Sequence, residues 1–243
     1  MGKNNSSLTR VKPLGKAIMN NHMLVNKLLS LVMSGSSVEL GNFDNSNVFY
    51  SGGQGEKALN PSPSHLAAII EKIINDEKFR SYIRNKDKST NNNKILRDKL
   101  FDLELDTIEM AKSGFKVWNT FETASHPDLF IENDKFIIVI EGKRTERDIT
   151  CSTTYLPCRC QMVRHIENAL EYCKGKKNII GFYIIEDGCG YEDHCTKAFF
   201  SKELDRETIK KDDKLKKAIV NSFYGYTTWQ EVSKKLKIRF SDI

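Results

Sequence analysis

Apolar and polar positions change their period along this chain, and each change marks an element. From about Leu14 to Val32, apolar residues (Ile18, Met19, Leu24, Val25, Leu28, Leu29, Val32) recur at helical spacing, after a polar, basic stretch over residues 1–12 that reads as a mobile arm. Ser34 to Gly55 is rich in Gly, Ser and Asn and breaks the pattern, with Val48-Phe49-Tyr50 a short strand candidate inside it. Asn60-Pro-Ser-Pro-Ser64 is a helix start, with prolines near the first turn and serine caps, and predicts a helix to about Ile83. Lys86 to Asn93 is a polar linker.

The grain changes from Asn93 on. Lys94 to Ser113 reads as a helix closed by Gly114. Strands are predicted at Phe115–Phe121, Asp128–Ile131 and Phe136–Lys143, with Asn133-Asp134 as a hairpin turn between the last two. Arg159 to Lys174 is a helix, and Asn178 to Glu186 a buried strand. A fully apolar strand after a crossover helix implies a central, parallel pairing covered on both faces. The tail, Lys197 to Ile243, is expected to be helical; Lys202–Lys217 holds seven basic and five acidic residues and reads as a solvated face, and Thr227-Thr228-Trp229 caps a short helix ending near Leu236. These shifts divide the chain into an N-terminal helical extension with its arm (1–92), a core (93–190) and a C-terminal helical extension (191–243) that together form one compact unit.

Composition narrows the class. The 243 residues carry a net charge of +6, and residues 1–38 hold Lys3, Arg10, Lys12, Lys16 and Lys27 with no acid, which permits a polyanionic partner without requiring one. The longest apolar run, Phe136–Ile140, is far short of a membrane span, and the six residues Leu28–Met33 are too few for a signal peptide. A cytoplasmic protein with no membrane partner is expected. Six cysteines (151, 158, 160, 173, 189, 195) fall in one stretch with no Cys-x-x-Cys pair, so reduced thiols are the expectation and a metal cluster the open alternative. Ser-Gly-Gly-Gln-Gly at 51–55 lacks the Gly-Lys-Ser/Thr ending of a phosphate-binding loop and reads as a turn.

The chemistry concentrates between His126 and Glu146. Side chains alternate along a strand, so Glu141 and Lys143 share a side with Gly142 opposite, and a hairpin about Asn133-Asp134 brings Asp128 beside them. Two carboxylates and an ammonium at strand ends suit Mg²⁺ and a phosphodiester. Two residues on the flanking helices join by their own periodicity. Glu104 falls inside the apolar arc formed by Leu96, Leu100, Leu103 and Ile108, where a carboxylate is costly unless paired or metal-linked; a salt bridge to Arg97 is the alternative. On the second helix Gln161 and His165 line one edge of the buried face of Met162, Val163, Ile166 and Ala169. Arg144, Arg147, Arg159 and Arg164 surround the site and could track a phosphate backbone, each with an ordinary surface charge as its alternative.

Pro127-Asp128…Glu141-Gly142-Lys143 resembles the motif of the PD-(D/E)xK nuclease superfamily, whose core order of helix–strand–strand–strand–helix–strand matches residues 93–187. The resemblance implies an α/β, restriction-endonuclease-like fold: a mixed sheet flanked by helices. It implies that Asp128, Glu141, the Gly142 carbonyl and Glu104 hold Mg²⁺ or Mn²⁺, that Lys143 assists the attacking water, and that Gln161 completes the catalytic set. Where some members carry Gln-x-x-x-Tyr, this chain has Gln161-x-x-x-His165. Arg144, Arg159, Arg164 and His165 become candidate nucleic-acid contacts. The expected activity is hydrolysis of DNA phosphodiester bonds, duplex in preference to single-stranded, by an endonuclease of restriction, repair or defence, with a homodimer permitted. The alternative is a non-catalytic nucleic-acid- or protein-binding module on the same fold.

Overall fold

The computed structural model describes residues 6–34, 41–53, 55–87, 94–102 and 121–241, the side chains of 95 and 96 excepted. Its centre is a five-stranded sheet in the order β1 (Asn47–Tyr50), β2 (Leu129–Glu132), β3 (Phe136–Gly142), β4 (Asn178–Ile185) and β5 (Phe223–Thr228). β1, β2 and β3 pair antiparallel, whereas β3 with β4 and β4 with β5 are parallel. Every residue of β3 is buried, as an Ile/Val-rich strand flanked on both sides and covered on both faces should be. The turn before it forms because the Asn133 side chain accepts from the backbone N–H of both Lys135 and Phe136.

Alternation along the strands makes two cores. Leu129, Ile131, Phe136, Ile138, Ile140, Ile180, Phe182 and Ile184 face one side, against α1 (Lys12–Asn20), α2 (Met23–Val32) and the last helix. Phe130, Ile137, Val139, Ile179, Tyr183 and Ile185 face the other, against α6 (Gln161–Tyr172), α7 (Lys197–Arg206) and α8 (Asp213–Asn221). The last helix, α9 (Trp229–Leu236), starts at a capping box between Thr228 and Glu231. A third, smaller core joins α3 (Pro63–Asn75), α4 (Glu77–Lys86) and α5 (Lys94–Phe101) to Phe121, Leu156 and Ile209. α6 lies close over β4 because Gly181 has no side chain: a Cβ there would sit 2.7 Å from Ile166 Cδ1.

The sheet class, the three strands β2, β3 and β4, helix α6 and the capped last helix agree with the sequence reading. Four points differ. The strand on the outer edge of β2 is β1, from the Gly/Ser/Asn-rich stretch; Phe121 is in a turn, and the rest of the predicted strand 115–121 lies outside the described residues. The tail is not uniformly helical, because Phe-Tyr-Gly-Tyr-Thr-Thr, aromatic and β-branched, adds a parallel strand beside β4. The helix expected through Ile83 is two helices, since Asp76 closes α3 and then caps α4 by accepting from the Phe79 N–H. Residues 7–11 are a π-helical turn rather than a loose arm: Arg10 and Val11 are buried, and Arg10 donates to Glu186 and to the Ser241 carbonyl. The sheet thus takes strands from all three predicted segments of the chain.

Candidate active site

The hairpin register sets the site. Leu129 pairs with Ile140, so Asp128, one step before β2, stands opposite Glu141 at the end of β3. Directly opposed residues share a face, and this is the face of Phe130, Ile137 and Val139, the one that α6 covers. Asp128 is fixed from both sides: its carbonyl accepts from the Ser51 N–H (2.8 Å), and its Oδ2 accepts from the Gly142 N–H (2.9 Å).

Glu141 is almost fully buried yet fully engaged. Lys143 Nζ donates to its Oε1 at 3.0 Å, and His165 Nε2 lies 3.2 Å from its Oε2. Lys143 also donates to Gln161 Oε1 at 3.2 Å. Gln161 and His165, four residues apart on α6, present the same face and reach adjacent members of the cluster. The α6 start is pinned by the Gln161 N–H donating to the Thr150 carbonyl.

The electrostatics separate the two carboxyl groups. Burial raises the Asp128 pKa, and the neighbouring Glu141 charge raises it further, to about 8; Gly142 and Lys143 only partly offset this. Burial also penalises a charged Glu141, but the hydrogen bond from His165 and the Lys143 charge win, and its pKa falls below the ordinary range. Burial works against the Lys143 ammonium, yet Glu141 holds its pKa above the ordinary value. For His165 burial dominates and lowers the pKa, so the imidazole is neutral at neutral pH, and the tautomer that fits carries its proton on Nε2. Its Nδ1 is buried with no partner among the described residues.

On the opposite face the end of β3 is held by side chains far away in sequence. Trp229, completely buried, donates from Nε1 to the Lys143 carbonyl at 2.9 Å. Its ring and Val11 occupy the space beside Gly142, where a Cβ would meet Trp229 Cζ2 at 2.8 Å and Val11 Cγ2 at 2.9 Å. Glycine at 142 is therefore a packing requirement. No local signal marks Trp229 as part of this arrangement, because its partner is 86 positions away. Glu56 is a second residue that sequence reasoning missed: its charge adds to the upward shift of Asp128, and it pairs with His126 at 3.9 Å.

Of the predicted site residues, Asp128, Glu141, Lys143, Gln161 and His165 come together, and Glu104 lies outside the described residues. Two candidate nucleic-acid contacts are corrected. His165 faces Glu141 inside the protein rather than a ligand strand. Arg159, 2% exposed, is the hub of a buried ion network, pairing with Glu122 at 2.7 Å, Glu167 at 2.7 Å and Glu207 at 3.0 Å, with His65 and Lys211 beside them, and has no face toward a phosphate backbone. Arg144 pairs with Glu186 at 3.5 Å and with the Thr9 hydroxyl at 3.0 Å. Arg147 is exposed. Arg164 lines a cavity beside α6. The six cysteines are free thiols.

Whether the residues present suit a divalent cation can be asked of the donors. Among the described residues no three His, Cys, Asp or Glu side chains are grouped to hold a metal ion. The described acidic donors are two, Asp128 and Glu141, and Mg²⁺ is often bound through one or two carboxylates with water and substrate oxygens completing its shell. Burial, and then the facing Glu141 charge, raise the Asp128 pKa, and a cation between the two opposed carboxylates would offset that repulsion. Two opposed carboxylates are hard oxygen donors of the kind such an ion takes.

No helix among the described residues is long and apolar enough to cross a membrane. In comparisons with known proteins the chain matches no family model, no curated protein and no solved structure.

Proposed function

We propose that this chain is a metal-dependent deoxyribonuclease of the PD-(D/E)xK kind, an endonuclease of restriction, repair or defence acting on duplex DNA. The observation that carries the reading is the placement of Asp128 opposite Glu141 on one face of the β2–β3 hairpin, with Lys143 and Gln161 in hydrogen-bond contact beside them. The antiparallel β1–β2–β3 unit followed by a helical crossover to a parallel β4 supports the restriction-endonuclease-like fold. A Mg²⁺ or Mn²⁺ ion held by Asp128, Glu141 and the Gly142 carbonyl, with Glu104 as a further candidate, would neutralise the phosphodiester and acidify a water.

The chain's own groups divide the remaining work. Lys143 stays an ammonium at neutral pH, since Glu141 raises its pKa; it acts as a fixed positive charge for an attacking water and for charge developing on phosphorus oxygens, not as a proton acceptor. Gln161 accepts from Lys143 through Oε1, which leaves its NH₂ to donate to a water or a phosphate oxygen. Neutral His165 donates to Glu141 and keeps that carboxylate ionised and oriented. Asp128, with its pKa raised to about 8, takes up a proton at neutral pH when no cation neutralises it, so proton and cation compete for the same carboxylate.

The test is incubation of the protein with plasmid and with single-stranded DNA in Mg²⁺, Mn²⁺ or EDTA, beside Asp128→Ala and Lys143→Ala whose folding is checked by circular dichroism. Metal-dependent cleavage by the parent that both variants lose supports the enzyme. Salt-sensitive DNA binding with no cleavage in any metal replaces it with a binding module.

A further inference from the structure

A cavity of about 330 Å³ opens between the chain that leads into β2 and the loop that precedes α6, with Glu122, Thr123, Ser152, Thr154, Tyr155 and Arg164 in its lining. It shares α6 with the catalytic cluster: Arg164 follows Gln161 by one helical turn and adjoins His165. Its far wall belongs to the segment that ends in Asp128.

The loop wall is built rather than loose. Thr153 exchanges two hydrogen bonds with Leu156, whose side chain is buried in the third core, and Tyr155 donates to Asp87 at 3.2 Å. On the opposite wall the Arg164 guanidinium is held in part. Nε is buried and lies 3.1 Å from Glu122 Oε1 without a hydrogen bond to it, and Nη2 donates to the carbonyls of Thr123 (3.0 Å) and Ala124 (3.3 Å). Nη1 has no partner among the described residues, and neither have the hydroxyls of Ser152 and Thr154. A guanidinium edge and two exposed hydroxyls around a cavity of this size are donors that no protein group uses and that face solvent, the composition that recognises a tetrahedral oxyanion when it displaces that solvent.

The charge balance agrees. Glu122 is shared with Arg159 and His65, so it is not a private counter-ion of Arg164. Burial presses the Arg164 pKa down, the Glu122 charge offsets part of this, and the neighbouring Arg159 charge adds to the depression, which an anion at the open edge would relieve.

We propose that this cavity is a phosphate subsite, in which Arg164 Nη1 and the Ser152 and Thr154 hydroxyls hold one phosphate group of the nucleic-acid strand whose scissile bond faces Asp128, Glu141 and Lys143. The proposal rests on the nuclease reading for its substrate, but phosphate binding at the cavity can be read without catalysis.

The probes are a fluorescein-labelled DNA duplex, followed by anisotropy in EDTA over a range of NaCl, and inorganic phosphate as competitor. The variants are Thr154→Glu, which places a negative charge in the cavity from an exposed loop position, Ser152→Ala/Thr154→Ala, and Arg164→Lys, with thermal midpoints measured beside each. Thr154→Glu is expected to weaken duplex binding about tenfold and to lower the slope of log affinity against log salt by about one. The double alanine variant should show a smaller loss of the same kind, and inorganic phosphate should compete with the duplex in the parent more strongly than in Thr154→Glu. In a cleavage assay the change falls on KM more than on kcat. Unchanged duplex affinity and salt slope in Thr154→Glu overturn the subsite even if cleavage is robust, which leaves the nuclease reading standing. Binding that responds as expected in a protein that cleaves nothing keeps the subsite and removes the nuclease. A parent that binds neither probe overturns both.

Discussion

Gly142→Ala is the sharpest single perturbation available at the site. The new methyl would lie 2.8 Å from Trp229 Cζ2 and 2.9 Å from Val11 Cγ2, where carbon atoms prefer about 3.5–4.0 Å. Neither neighbour has room to retreat: Trp229 is 0% and Val11 2% exposed, and Trp229 is tied to the Lys143 carbonyl. Overpacking of this kind costs about 1–3 kcal/mol. The assay is urea unfolding of the metal-free protein followed by far-UV circular dichroism, where the midpoint should fall with the slope m unchanged. A double-mutant cycle isolates the cause. Trp229→Phe removes Cζ2 together with the indole N–H, so on its own it destabilises by about 2–3 kcal/mol through a cavity and an unpaired buried carbonyl. In that background Gly142→Ala should cost roughly 1 kcal/mol less than in the parent, since only Val11 still opposes the methyl. Equal costs in the two backgrounds would refute the packing account. The same alanine, by shifting the strand that carries Glu141 and Lys143, should depress cleavage about 100-fold under the proposed function.

Two further outcomes follow from buried charge. Arg159→Met leaves Glu122, Glu167 and Glu207 with Lys211, Arg164 and His65 as their remaining basic neighbours and should destabilise the protein by at least about 3–5 kcal/mol in urea, whereas a loss below about 1 kcal/mol would show that the network contributes little. Asp128 titrates at about 8 in the folded protein against an ordinary value of 3.8, so within that window the folded state holds a proton that the unfolded chain has released. The Asp128 contribution to the stability of the metal-free protein should therefore fall as pH rises from about 4 to about 8 and level off above, read as the difference from Asp128→Asn because the lowered His165 pKa works the other way below about 6.5. In Asp128→Asn that slope should be absent, and millimolar Mg²⁺ should raise the thermal midpoint of the parent alone; parallel pH curves for the two proteins would contradict the assignment.

The hairpin and its acids were legible in the sequence because everything needed is local. A period of two places Glu141 and Lys143 on one face, and Asn133 fixes the register that sets Asp128 opposite Glu141. Gln161 and His165 were legible as a helical i, i+4 pair, though the partner of His165 was not. Arg159 defeats local reading: an arginine beside a predicted site looks like a phosphate contact, and only the convergence of Glu122, Glu167 and Glu207 from three separate segments buries it. Arg10 was hidden in the same way by Glu186 and Ser241. β5 was masked by the charged helical pattern on either side of it, whereas β1 was visible as the Val48-Phe49-Tyr50 run but its place beside β2 was not; edge strands are defined by what they pair with, and that information lies far away in the chain.

The indole bond to Lys143 also imposes an order of assembly. A ribosome that has already made Glu141, Gly142 and Lys143 must add 86 more residues before Trp229 exists to hold the Lys143 carbonyl. Until then a nascent chain has the acids and the lysine but not the contact that sets the end of their strand. Synthesis of this protein therefore carries its own delay, and the arrangement is completed only when α9 has been made.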